Sequence, residues 1–170
     1  MRSPTKTLIS SERQQSLGEE IANSVSSGLC LLAIIAGIPF LFRSAVQRGD
    51  RLSLAGAIVF AASMVVLYLT STVYHALPQS KVKDLFLRFD HSAIFLFIAG
   101  SYTPFTLGAL RGNLGWTQEG LLWIVAGGLA YTTGVLFFVA KRVRYAHFIW
   151  HLFVAAGTAC HFWAVLRYAG

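Results

Sequence analysis

Apolar residues gather along this chain into five runs: Ile21 to Phe42, Leu52 to Leu77, Ser92 to Leu110, Gly120 to Ala140 and Ala146 to Leu166. None has Lys, Arg, Asp or Glu in its interior. Crossing about 30 Å of hydrocarbon at about 1.5 Å per residue takes about 20 residues, which each run supplies. Inside lipid every backbone polar group must be satisfied within the segment, so the runs are helices. The pattern predicts an all-α, multi-pass transmembrane bundle of five spanning helices. Residues 1–20 form a polar segment ahead of it, and 21–170 form the transmembrane domain. The first run follows about 20 polar residues, is longer than the apolar core of a secretory signal and lacks a small-residue cleavage site, so it is expected to stay as a helix. Pro104 should kink the third helix. Gly127, Gly128 and Gly134 should let neighbouring helices approach closely.

Composition sharpens this picture. Of the 170 residues, 55% are hydrophobic and only 12% charged, against about 25% charged in a soluble domain; mean hydropathy is +0.60. An ordinary cytosolic enzyme and a disordered chain are excluded. Cys30 and Cys160 both lie in apolar runs and match no disulfide or metal spacing. The net charge of +7 is spread over the connectors rather than gathered into a nucleic-acid footprint. Counted on alternate sides, Lys and Arg number nine on the side of Arg2, Lys81 and Arg144, and five on the side of Arg43, Arg111 and Arg167. The richer side should be cytoplasmic, which puts the N-terminus inside and the C-terminus outside.

Against so little charge, ionisable residues at the ends of apolar runs stand out, because such groups are costly at membrane depth. His75 ends the second run, Asp90 opens the third, and His147 and His151 open the fifth. Helix alternation brings all four to one leaflet whichever way the chain inserts. Residues four apart share a helical face, which pairs His147 with His151 and Ser71 with His75. Three neutral imidazoles and a water make an open tetrahedral zinc site, in which the ion activates the water and Asp90 can accept its proton. Each residue also has a plainer reading: an interfacial histidine pair, a local ion pair of Asp90 with Lys81, Lys83 or Arg88, and a serine bonded to its own backbone. His161 lies about 15 Å deeper than His151 along the helix and should be bonded within the bundle. His91 points about 100° away from Asp90 and should be interfacial.

At these residues the chain resembles the hemolysin III family, relatives of the progestin and adiponectin receptors. The resemblance rests on Glu20 to Ser24 (EIANS), Tyr68 to Leu77 (YLTSTVYHAL), Arg88 to Leu110 (RFDHSAIFLFIAGSYTPFTLGAL) and Tyr131 to Phe162, together most of the chain. It implies a bundle holding zinc near its cytoplasmic side, with His75, His147 and His151 as ligands and Ser71 and Asp90 beside the metal's water. The wider superfamily includes alkaline ceramidases, which implies metal-dependent hydrolysis of lipid amides or esters. Two departures accompany it. The family has seven helices, and here two are missing after Leu110; an even number leaves the last helix in its orientation. Ser27 stands where the family pattern has a histidine, a change expected to bear on the first helix alone.

Three functions are therefore set against one another: a zinc-dependent lipid hydrolase, a cytolytic protein without catalysis, and a receptor-like or membrane-homeostasis component with structural zinc. Membrane lipids are the expected partners, nucleic acid is not, and a homo-oligomer can fill the gap left by two helices. The expected location is a cell membrane, the inner membrane of a bacterium.

Overall fold

The computed structural model describes residues 15–109, 118–140 and 142–168. The rest of the expected polar N-terminal segment, most of the connector after Leu110, and Arg2, Lys6, Arg13, Arg111 and Lys141 of the charge count lie outside the described residues. Five helices follow in order: α1 Leu17–Gln47, α2 Arg51–Ala76, α3 Lys81–Ala109, α4 Gln118–Val139 and α5 Ala146–Tyr168. They match the five apolar runs, and there is no strand among the described residues.

Two helices start a full turn or more before their apolar runs. α1 begins at Leu17 because Ser16 and Glu19 form a capping box, in which the Ser16 hydroxyl accepts from the Glu19 amide and the Glu19 carboxylate accepts from the Ser16 amide. α3 begins at Lys81, where the Ser80 hydroxyl accepts from the Lys83 amide and satisfies one donor of the first turn. The first three turns of α3 therefore carry Lys81, Lys83, Asp84, Arg88 and Asp90. α1, α2, α4 and α5 are long and apolar enough to cross a membrane by length and composition; α3, with its polar start, falls short of that measure over its described residues. Leu29, Leu32 and Phe40 of α1 and Leu122, Leu129 and Leu136 of α4 are each more than half exposed. So much bare apolar surface suits hydrocarbon rather than water. The chain is a helical membrane protein.

Packing places α1 between α2 and α5, with α3 most closely against α2 and α4 most closely against α5; α3 also touches α5, where the rings of Tyr102 and His161 stand 5.6 Å apart. The helices thus form an arc, α3–α2–α1–α5–α4. The core runs along it through Leu41, Phe60, Met64, Phe97 and Val165. α3 and α4, adjacent in the chain, pack less closely than the other neighbours but meet at several levels: the rings of His91 and Phe138 stand 6.0 Å apart, those of Phe97 and Tyr131 5.9 Å, and the Tyr102 hydroxyl faces Gly128. Pro104 is accommodated inside α3, against Gly56 of α2, where a Cβ would stand 2.8 Å from the Pro104 Cα.

Candidate metal centre

Antiparallel neighbours bring the C-terminus of α2, the first third of α3 and the N-termini of α1 and α5 to one end of the bundle. There the rings of His75, His147 and His151 converge, with centroid separations of 5.1, 5.2 and 4.7 Å for the three pairs. One nitrogen of each lies within 4.8 Å of the others, the one group of three or more candidate metal ligands among the described residues. His75 Nε2 and His147 Nε2 are both buried and meet no hydrogen-bond partner. Buried polar atoms are rarely left so, and two orphaned nitrogens within one cluster of three histidines fit a divalent ion that prefers nitrogen ligands.

The opposite edges of two of these rings are held by the protein. His75 Nδ1 sits 2.7 Å from Glu20 Oε2 of α1, and the other Glu20 oxygen accepts from Lys83 Nζ at 2.9 Å. Lys83, itself buried, also donates to the Leu77 carbonyl at 3.0 Å. A carboxylate on Nδ1 puts the ring proton there and leaves the Nε2 lone pair directed inward. His151 Nδ1 lies 3.3 Å from Ser26 Oγ and 3.2 Å from Ser27 Oγ. Ser27 Oγ is in turn 3.0 Å from Ser71 Oγ, and the Asp90 carboxyl lies beside Ser71. One assignment of protons satisfies every member. His151 Nδ1–H donates to Ser27 and Ser27 to Ser71, which leaves the Ser71 hydroxyl hydrogen for the neighbouring Asp90 carboxylate, a group that can only accept. That direction also leaves His151 Nε2 with a free lone pair.

The five residues singled out in the sequence, His75, His147, His151, Ser71 and Asp90, thus fall in one neighbourhood. His161 stays apart, fully buried, its Nε2–H donating to the Ile124 carbonyl at 3.3 Å between the rings of Tyr102 and Tyr131. His91 is exposed and donates from Nδ1 to the Leu87 carbonyl at 2.8 Å. Four further residues had no place at the site in the sequence reading: Glu20, Ser26 and Ser27 of α1 and Lys83 of α3. Ser27, expected to matter to the first helix alone, instead links His151 to Ser71. A cavity of about 360 Å³ opens beside the cluster, lined by Glu19, Asn23, Asp90, His91 and His147 among others. Its wall is braced where Glu19 Oε1 accepts from the Tyr145 amide at 2.8 Å, a residue in the left-handed region at φ 58°.

A multi-pass helical membrane protein with a three-histidine cluster at one end of its bundle is the class these features define. Its sequence matches the family described as "Haemolysin-III related" over residues 15–118. It is 32% identical over 200 aligned positions to "Hemolysin-3 homolog" of Bacillus subtilis (strain 168), covering 88% of this chain and 94% of that protein. It is 32% identical over 204 positions to "Hemolysin-3" of Bacillus cereus, covering 91% and 93%. A human protein, "Monocyte to macrophage differentiation factor", is 25% identical over 203 positions, covering 88% and 84%. No solved structure matches significantly. The chain belongs to the haemolysin-III related family. Since 88% of 170 residues is about 150, about 50 of the 200 positions aligned with the B. subtilis protein have no residue opposite them here. That length is consistent with an internal deletion of two helices.

Proposed function

We propose that this protein holds a zinc ion on His75, His147 and His151 near the cytoplasmic face of a bacterial inner membrane, and that the centre hydrolyses a lipid amide or ester. The observation that carries the reading is the pair of buried, partnerless Nε2 atoms on His75 and His147, drawn together with a nitrogen of His151. Three neutral nitrogen ligands leave a fourth position open, the arrangement of a catalytic rather than a structural zinc site. Zinc bound there supplies a Lewis acid that polarises a carbonyl and activates water near neutral pH. The protein's own residues do the rest. Glu20, held by Lys83, orients the His75 ring, and Ser27 orients that of His151. Asp90 lies on the cavity and takes up a proton, and Ser71, beside it, offers the hydroxyl that orients the carboxylate.

Turnover across a panel of ceramide-like amides and acyl esters, by purified protein in lipid, tests the reading. Asp90→Asn should remove turnover by about 10²-fold or more while zinc content stays unchanged, as expected for a group that handles the proton. Zinc retained with no turnover on any lipid would instead assign the metal a structural role. The relatives' printed names, "Hemolysin-3" and its homolog, favour a second reading as a membrane-lytic protein. On that reading leakage from liposomes survives both Asp90→Asn and chelation; on ours the native protein causes no leakage.

A further inference from the structure

Two cavities reach the histidine cluster, and they differ in chemistry. The first, described above, is lined by polar and apolar groups in about equal measure, with Glu19, Asn23, Asp90 and His147 among the polar ones, and opens at the end of the bundle. The second is a groove of about 590 Å³ between α1 and α5, facing the bilayer side of both helices. On α1 it follows Gly18, Ala22, Val25 and Leu29, and on α5 Phe148, Leu152 and Ala155. These positions recur every three or four residues and so form one continuous stripe on each helix. The polar side chains on it, apart from the Tyr145 hydroxyl near its mouth, are Ser26 and His151, at its floor. Tyr145 and Phe148 line both cavities and stand as the partition between them.

From this geometry we infer that the α1–α5 groove is the seat of a single acyl chain entering sideways from the bilayer, with its carbonyl at His151 and its polar remainder in the cavity beside Asp90. Both walls belong to helices long and apolar enough to span a membrane, so hydrocarbon is the medium the groove meets. Small residues, Gly18, Ala22 and Ala155, hollow out the stripe where larger ones would close it. A wholly polar or a wholly apolar molecule satisfies one cavity and leaves the other unmatched. An amphiphile with one chain satisfies both. The inference rests on the hydrolase reading for the role of the carbonyl, but the seat itself does not need the metal.

The test uses the full chain in phosphatidylcholine nanodiscs with a trace of palmitic acid bearing a photoactivatable diazirine, and zinc is measured on the same sample. Labelling should map to peptides containing residues 18–29 and 148–155, saturate, and be displaced by excess palmitic acid. Ala22→Phe and, from the other wall, Ala155→Phe should each weaken it about tenfold, the effect of displacing about two methylenes of apolar burial. Having the variant on either helix guards against one of them failing to fold. Label spread evenly over lipid-facing Leu122, Leu129 and Leu136 of α4, or indifferent to both substitutions, overturns the groove even if zinc is present. Groove labelling in a protein devoid of zinc leaves the seat standing and removes the metal reading alone.

Discussion

At the scale of single residues, the site depends on which edge of each imidazole the protein occupies. Glu20 holds the Nδ1 edge of His75 and is balanced by Lys83. Replacing Glu20 with Gln removes the acceptor that orients the ring, and partners of this kind are typically worth about 10- to 100-fold in metal affinity. It also leaves the Lys83 ammonium buried without its counter-charge, which destabilises the fold separately. The two effects can be parted. Glu20→Gln with Lys83→Met should recover thermal stability relative to Glu20→Gln alone while zinc affinity, read by chelator competition, stays low. Recovery of both together would show that Glu20 acts through folding and not through His75. At Ser27, substitution by Ala breaks the chain from His151 to Asp90, but Ser26 remains on the ring. Zinc should be kept and turnover reduced; loss of zinc from Ser27→Ala would mean that this serine, not Ser26, anchors the ring.

These residues also mark how far the site is legible in the sequence. His75, His147, His151 and Asp90 are visible because ionisable groups are rare at the ends of apolar runs and because helix alternation assigns them one depth. Ser71 is visible through its spacing to His75. Glu20 and Ser27 carry no such signal. Glu20 reads as one more acid before an apolar run, and its partner His75 lies 55 positions away on another helix. Ser27 reads as a departure from the family pattern that concerns the first helix alone, and its partners are 44 and 124 positions distant. Periodicity within a helix says which residues share a face; it does not say which two faces meet.

At the scale of elements, close approach between α4 and α5 is set by glycines. A Cβ at Gly127 would run into the His161 ring, and one at Gly157 into the Tyr131 ring, while Gly134 faces Trp150 and Phe153. Gly127 and Gly134 were expected as contact points from the sequence, and both are buried. Gly128, grouped with them, has Tyr102 Oη as its nearest neighbour at 4.0 Å and is not a tight contact. Gly127→Ala should therefore destabilise the bundle by about 1–3 kcal/mol, as overpacking of a core does. Adding His161→Ala should return part of that loss, because the ring is what the new methyl meets. Thermal unfolding in detergent measures both. Gly128→Ala in the same assay should be close to neutral, and an equal loss at Gly127 and Gly128 would contradict the assignment. The early start of α3 is an element-scale feature that hydropathy alone hides. Its polar first turns look like a connector, yet Ser80 caps them and Lys83 reaches Glu20, so they build one wall of the site.

At the scale of the whole molecule, the arc α3–α2–α1–α5–α4 keeps together every helix that supplies a ligand, and its two ends, α3 and α4, meet through side chains such as Phe97 and Tyr131. α2 and α5, which carry the three histidines, both pack on α1, so a deletion between α3 and α4 leaves the centre's scaffold intact. The helix count and the single depth of the site follow from the apolar runs alone. The order of helices around the arc does not, because lipid-facing and helix-facing positions are equally apolar here. The charge asymmetry predicts that the N-terminus and the histidine cluster are cytoplasmic. A phosphatase reporter fused after Gly170 should then be active and a fluorescent one dark, with the reverse result placing the centre on the outer face. The claim on which the rest stands is that the three histidines hold a metal. Metal content of the purified chain, beside that of His147→Ala with His151→Ala, tests it most directly. We predict close to one zinc per chain in the first and near none in the second; a metal-free native chain, or zinc undiminished in the double variant, contradicts the account.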